Sequence, residues 1–186
     1  MRLPTLPTDR LSIRPFTLDD LAPCHEVLGA VGDPISVEDR REWLGWTVSN
    51  YRQLEQLQQP PYGDRAIVLR SDGSLIGACG LVACLAPFGQ LADDVSGPTR
   101  WRPEVGLYYE LGPSHRGRGY ATEAVRELIR WAGAELRLER IVATTTYDNA
   151  GSIAVMERLG MTIRRNRFDE PAWMQVVGLY EYGSDA

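Results

Sequence analysis

The residues best suited to chemistry lie in one stretch, Leu111-Gly112-Pro113-Ser114-His115-Arg116-Gly117-Arg118-Gly119-Tyr120-Ala121-Thr122. A β-rich run ends there, a glycine-bearing turn follows, and a helix begins. Glycines let main chain approach a ligand closely, and the first N–H groups of a helix have no intrahelical partner. A phosphate can therefore accept from several of them at the positive end of the helix dipole. Arg116 and Arg118 strengthen that expectation, because a cation at a helix N-terminus opposes the dipole at a cost of about 0.3–1 kcal/mol. A bound anion removes the conflict. The alternative for this pair is a solvated surface position, and His115 beside it reads as a loop residue.

Composition narrows the chemistry further. All 20 basic residues are arginine, and the chain has no lysine. That excludes a lysine Schiff base, a pyridoxal-phosphate anchor and a phosphate loop of the Gly-Lys-Ser/Thr kind. The dinucleotide fingerprint fails as well, because its third glycine would fall on Thr122. A net charge of -5 over 186 residues speaks against a nucleic-acid partner and towards small molecules or basic peptides. Cys24, Cys79 and Cys84, with His25 and His115, show no metal-ligand spacing. No metal is expected, and the cysteines read as reduced packing residues of a cytoplasmic protein. No apolar run reaches the ~18 residues of a membrane span, and the first residues lack a hydrophobic signal core.

The turn resembles the GNAT acyltransferase superfamily, whose Arg/Gln-x-x-Gly-x-Gly/Ala signature is matched by Arg116, Gly119 and Ala121. The resemblance continues through Tyr120-Ala121-Thr122-Glu123-Ala124, Asn149-Ala150-Gly151-Ser152, Glu157 and Leu159-Gly160-Met161. It includes the N-terminal Thr8-Asp9-Arg10-Leu11-Ser12-Ile13-Arg14 and points to the Rim-type branch, which contains ribosomal-protein N-terminal acetyltransferases.

What the resemblance implies can be placed residue by residue. The amides of Gly117, Arg118, Gly119, Tyr120, Ala121 and Thr122, with Arg116, would hold the pyrophosphate of acetyl-CoA. The backbone from Tyr109 to Leu111 would hydrogen-bond the pantetheine arm as an added strand does. Asn149 becomes a second pantetheine contact, a role compatible with capping a helix. The implied reaction is attack of a neutral primary amine on the acetyl thioester, releasing coenzyme A. An α-amine with a pKa of about 8 loses its proton readily, whereas a lysine-like amine at about 10.4 needs more help.

Glu104 resembles the acidic residue of the branch and is the candidate base, directly or through water; an ordinary strand-end carboxylate is the alternative. Glu110, on the same strand face, is the runner-up. Many members use a tyrosine to protonate the departing thiolate, but that place is Met156 here. The serine of the Asn-x-x-Ser motif, Ser152, takes the role by resemblance, with a backbone-bonding helix serine as the alternative.

Arg164-Arg165-Asn166-Arg167 replaces the acidic residue and glycine often found there in the branch, so the acceptor is not carried over. It stays a peptide N-terminus or a small-molecule amine, and relatives are commonly homodimers. A non-catalytic acyl-CoA-binding sensor is the competing function, and a longer acyl donor a third possibility.

These residues need a scaffold. Leu11 to Phe16 alternates as a strand, and Thr17, Asp19 and Asp20 suit the start of a helix running to about Gly29. Ser36 and Asp39 open a helix that ends before Pro60, with Trp43, Trp46, Tyr51, Leu54 and Leu57 at roughly helical spacing. That stripe is either core or a groove wall. Arg65–Arg70 and Leu75–Leu85 form a hairpin about Asp72-Gly73. Pro87 to Pro103 reads as a loop and Glu104 to Leu111 as a strand. Gly117 to Leu136 has the apolar spacing of a helix of about five turns. A strand at Ile141–Tyr147, a helix at Asn149–Leu159 and strands near Met161–Arg167 and Gln175–Tyr182 complete the order. The chain, 1–186, is expected to be a single domain of the α+β class. Its mostly antiparallel twisted sheet should have about seven strands flanked by about four helices.

Overall fold

The computed structural model describes residues 3–29, 35–60, 62–91 and 99–183. Its strands are β1 (Leu6–Pro7), β2 (Leu11–Pro15), β3 (Gly63–Leu69), β4 (Leu75–Ala86), β5 (Arg102–Leu111), β6 (Arg140–Thr145), β7 (Thr162–Arg165) and β8 (Val176–Glu181). The α-helices are α1 (Leu21–Leu28), α2 (Val37–Gln56), α3 (Tyr120–Trp131) and α4 (Ala150–Arg158). The strands form one mixed, mostly antiparallel sheet in the order β1-β2-β3-β4-β5-β6-β8-β7. It has 8 strands rather than about seven, because β1 is 2 residues long and too short to show a period. Part of the loop expected at 87–103 lies outside the described residues, and its last positions, Arg102 and Pro103, already belong to β5.

The chain divides into two compact units, Met1–Leu81 with Tyr108–Trp131, and Val82–Leu107 with Ala132–Ala186. In the first, β1, β2, β3 and the start of β4 pair antiparallel, with Ile13 opposite Ile67 and Ala66 opposite Ala78. The hairpin turn forms as its Asp-Gly demands: Gly73 has φ 77°, and the Ser74 N–H donates to Asp72 Oδ1 at 2.9 Å. Leu11, Ile13, Ile67 and Ile76 are fully buried. Ser36 and Asp39, expected to open a helix, make a capping box at the start of α2, with the Asp39 N–H donating to Ser36 Oγ at 3.1 Å.

The aromatic stripe of α2 splits. Trp43 packs edge-on against Phe16 at 5.4 Å, and the Tyr51 hydroxyl donates to the Asp64 carbonyl at 2.5 Å. Trp46 and Leu57 are 63% and 68% exposed. The buried residues of α2 are Leu44, Thr47 and Leu54. Helix α3 buries Thr122, Ala124, Val125, Leu128, Ile129 and Trp131, and its expected continuation to Leu136 widens into a π turn from Ala132. Arg65, 1% exposed, lies 4.6 Å over the Trp131 ring and donates to the Pro4 carbonyl.

In the second unit β5 pairs parallel with β6 through Gly106 and Val142, and β6–β8 and β8–β7 are antiparallel. Asn166, 2% exposed, donates to Gln90 Oε1 at 2.7 Å and accepts from the Phe168 N–H at 3.1 Å. Among the described residues no helix is long and apolar enough to cross a membrane. None of their His, Cys, Asp and Glu side chains gather in groups of 3 able to hold a metal ion.

One carboxylate organises the entry to α1. Asp20 takes both prongs of Arg14, at 2.8 and 2.6 Å, and the Thr17 N–H at 2.8 Å. Burial alone would raise its pKa, but the Arg14 and Thr17 hydrogen bonds outweigh it and hold the carboxyl below its ordinary value. A depressed folded-state pKa contributes stability above the unfolded value, lost as pH falls through the folded one. Asp20→Asn is therefore expected to lower stability at pH 7 by about 2 kcal/mol. Urea titrations should show the gap to wild type closing in acid; an equal gap at every pH would refute the linkage.

Candidate active site

The turn between β5 and α3 has the open main chain an anion needs. A single 3-10 turn, Pro113–His115, leaves β5, and Gly117 and Gly119 then adopt φ 72° and 79°. These left-handed values favour glycine. A Cβ on Gly117 would meet nothing within 4 Å, and one on Gly119 only Arg10 Nη2 at 3.5 Å. A side chain would stand in open space above the turn. The Glu123 N–H donates to the Gly119 carbonyl at 3.0 Å, so the amides of Tyr120, Ala121 and Thr122 precede the helical ladder. This turn therefore fits a diphosphate.

Two of the expected cationic side chains differ in placement. Arg116 folds back, its Nε donating to the Leu111 carbonyl at 3.0 Å, and so braces the end of β5. Arg118 is exposed and offers its carbonyl to Arg10 Nη1 at 3.1 Å. His115 Nδ1 lies 3.0 Å from Ser114 Oγ.

Arg10 is the residue that sequence reasoning missed. Its guanidinium lies 4.5 Å over the Tyr120 ring, and its Nε donates to Glu123 Oε2 at 2.6 Å. Glu123 Oε1 also accepts from Thr8 Oγ1 at 2.6 Å and from the Arg10 N–H at 3.0 Å. Burial pushes the Glu123 carboxyl up, but the Thr8 and Arg10 hydrogen bonds prevail and hold it below its ordinary value. The approach to β2 is thus clamped to the first turn of α3. The only signal was membership of Thr8, Arg10 and Glu123 in one family-like pattern.

Within the same unit, the Tyr108 hydroxyl makes a short hydrogen bond to Glu110 Oε2. Burial, then the Glu110 charge, pushes the Tyr108 phenol far up, so it stays a protonated donor. Among the described residues the other oxygen, Oε1, takes no donor. Tyr109 and Leu111, the expected pantetheine-facing backbone, flank Glu110 on this strand.

Glu104, Asn149 and Ser152 belong to the second unit. Both oxygens of Glu104 are bound by Arg140, Oε2 by Nε at 2.8 Å and Oε1 by a short contact from Nη2. The Glu104 side chain is 8% exposed. This ion pair latches the start of β5 to the start of β6 and raises the Arg140 guanidinium pKa. Asn149 Oδ1 accepts from the Ser152 N–H at 3.0 Å, the helix-capping role weighed for it. Met156 is fully buried, its Sδ packed over Gly178 of β8. That position serves the core.

A model of the acetyltransferase (GNAT) domain matches residues 10–162. The uncharacterized N-acetyltransferase p20 of Bacillus licheniformis is 30% identical over 161 residues, 83% of this chain and 80% of that protein. The uncharacterized N-acetyltransferase YjdG of Bacillus subtilis (strain 168) is 34% identical over 74 residues. That match covers 40% of this chain and 43% of YjdG, less than two thirds of its length. An acetyltransferase structure from Agrobacterium tumefaciens str. C58 aligns with a TM-score of 0.72 at 26% identity, over 98% of this chain and 96% of that one. The ribosomal-protein-S5-alanine acetyltransferase of Vibrio fischeri aligns with a TM-score of 0.69 at 15% identity, over 98% of each chain. At that identity the likeness speaks for the fold alone.

Proposed function

The chain belongs to the acetyltransferase (GNAT) family of acetyl-CoA-dependent acyltransferases, and on that premise we propose that it acetylates a primary amine by direct attack within a ternary complex. The observation that carries this is the left-handed Gly117/Gly119 turn, whose amides precede the first helical bond of α3. Those amides hold the diphosphate, backbone from Tyr109 to Leu111 holds the pantetheine arm, and Asn149 adds a contact to it.

Glu110 receives the amine proton. Glu104 is the weaker base candidate, because a carboxylate bonded through both oxygens to a guanidinium has its lone pairs committed. Glu110 keeps Oε1, while Tyr108 holds Oε2 and sets the carboxylate's orientation. The amine nitrogen bonds to the acetyl carbon, the carbon–sulfur bond breaks, and Ser152 supplies a proton to the sulfur and is reprotonated by water. Ser152→Ala should lower kcat about 10- to 100-fold while the KM for acetyl-CoA stays put. A wild-type rate would remove Ser152 from the reaction.

A cytoplasmic location is part of this proposal, supported by an odd and sparse set of cysteines, Cys24, Cys79 and Cys84, that read as reduced packing residues. Burial pushes Cys24 up to about 11 and Cys79 up to about 12, so both stay protonated and inert. The test of function is release of free thiol from acetyl-CoA with N-terminal peptides, amino acids, polyamines and aminoglycosides. Turnover with any of them supports acetyl transfer. Tight acetyl-CoA binding with no release across the panel would make the chain a non-catalytic acyl-CoA sensor, consistent with the buried methionine at position 156.

A further inference from the structure

Among the described residues Arg40 is a cation without an anion. It sits in the first turn of α2, its N–H donating to the Ser36 carbonyl at 3.0 Å, where positive charge opposes the helix dipole. Its guanidinium lies 5.2 Å over the Trp43 ring, and its Nε is buried with no hydrogen-bond partner among the described residues. Acidic neighbours are present but engaged elsewhere. Asp39 accepts from Ser36 Oγ at 2.7 Å, and Glu38 lies 4.0 Å from Arg41. A guanidinium with a buried, unpaired N–H is costly, and a ligand anion bound at its terminal nitrogens, which are not buried in this way, would offset that cost.

Its surroundings say which ligand. Trp43 and Tyr108 pack on the same apolar cluster, which includes Phe16, Cys24, Leu28 and Leu44. The charges of Arg40 and Glu110 act with opposite sign on both the Cys24 thiol and the Tyr108 phenol, so both lie close to this cluster. Yet among the described residues they form no ion pair with each other. A positive and a negative group held apart beside apolar side chains mirror a zwitterion. Given the acetyl transfer proposed above, with Glu110 taking the amine proton, we propose that Arg40 binds a carboxylate of the acceptor, and that the acceptor is an amino acid. The planar guanidinium presents its paired N–H groups to the carboxylate, and Trp43 holds the fork in plane.

The test uses the full chain, saturating acetyl-CoA and acceptors matched in side chain: the L-amino acid, its primary amide and the decarboxylated amine. Small, aliphatic and aromatic side chains are each compared. The amino acid is expected to exceed the other two in kcat/KM by about tenfold or more, since the amide and amine leave Arg40 unpaired. Arg40→Gln should bring the amino acid down to the level of its amide through a higher KM. Arg40→Lys, which keeps the charge but not the fork, should recover part of the preference. Melting temperature and acetyl-CoA affinity, measured alongside, separate this from misfolding. Equal or better turnover of the amide or amine in the wild type, or a preference that survives in both variants, would overturn the assignment of Arg40 while leaving acetyl transfer intact. Absence of turnover with every amine would overturn both.

Discussion

Gly119→Val is expected to abolish detectable acetyl-CoA binding, weakening it by about 100-fold or more, which is roughly 3 kcal/mol. Gly119 stands at φ 79°, and a β-branched residue held there is strained by about 1–3 kcal/mol. If the backbone relaxes, the amides from Gly117 to Thr122 lose their common aim. If it holds, the new methyl groups project from a Cβ whose one near neighbour is Arg10 Nη2, into the space the diphosphate needs. Either response removes main-chain donors from the ligand. The turn is exposed and its side chain would touch nothing in the core, so the fold should persist. Calorimetric titration measures the loss, and a melting curve confirms the fold. Wild-type affinity in a folded variant would place the cofactor elsewhere.

Glu110→Gln carries the second large effect. Glutamine keeps the size and can still accept from Tyr108, but it cannot take a proton. Turnover near pH 7 should fall by about 10²–10⁴-fold, with acetyl-CoA affinity little changed. The remaining rate should climb steeply with pH, because a variant without a base uses only the acceptor already neutral, a fraction that grows as the pH approaches the pKa of the acceptor amine. The same substitution at Glu104 should behave differently. It breaks the Arg140 latch in the second unit, so its effect should appear in melting temperature, with no change in the pH profile. If Glu104→Gln gives the rising profile and Glu110→Gln does not, the two carboxylates exchange roles.

Much of the candidate site's local geometry could be read along the chain. The turn proposed for the diphosphate is a local object: a strand end, glycines with freedom at φ > 0 and amides ahead of the helical ladder all fall within Leu111–Thr122, and the structure forms them from neighbours a few positions apart. The helix starts at Thr17/Asp20 and Ser36/Asp39, the Asp72-Gly73 hairpin and the apolar face of α3 were legible for the same reason. Trp46 and Leu57 were not, because a loose helical spacing does not say which side of a long helix meets the core.

The sequence alone determined the reaction family, the absence of lysine chemistry and the glycine turn proposed to receive an anion, since each depends on residue type or on contacts within one or two turns of chain. Only tertiary structure decided what each charged side chain is free to do. Arg10 reaches Glu123 across 113 positions, and Arg140 reaches Glu104 across 36. A carboxylate's availability as a base is set by whichever guanidinium or hydroxyl the strand pairing brings beside it. That is why Glu104 and Glu110, alike as residues on one strand face, came to hold different partners.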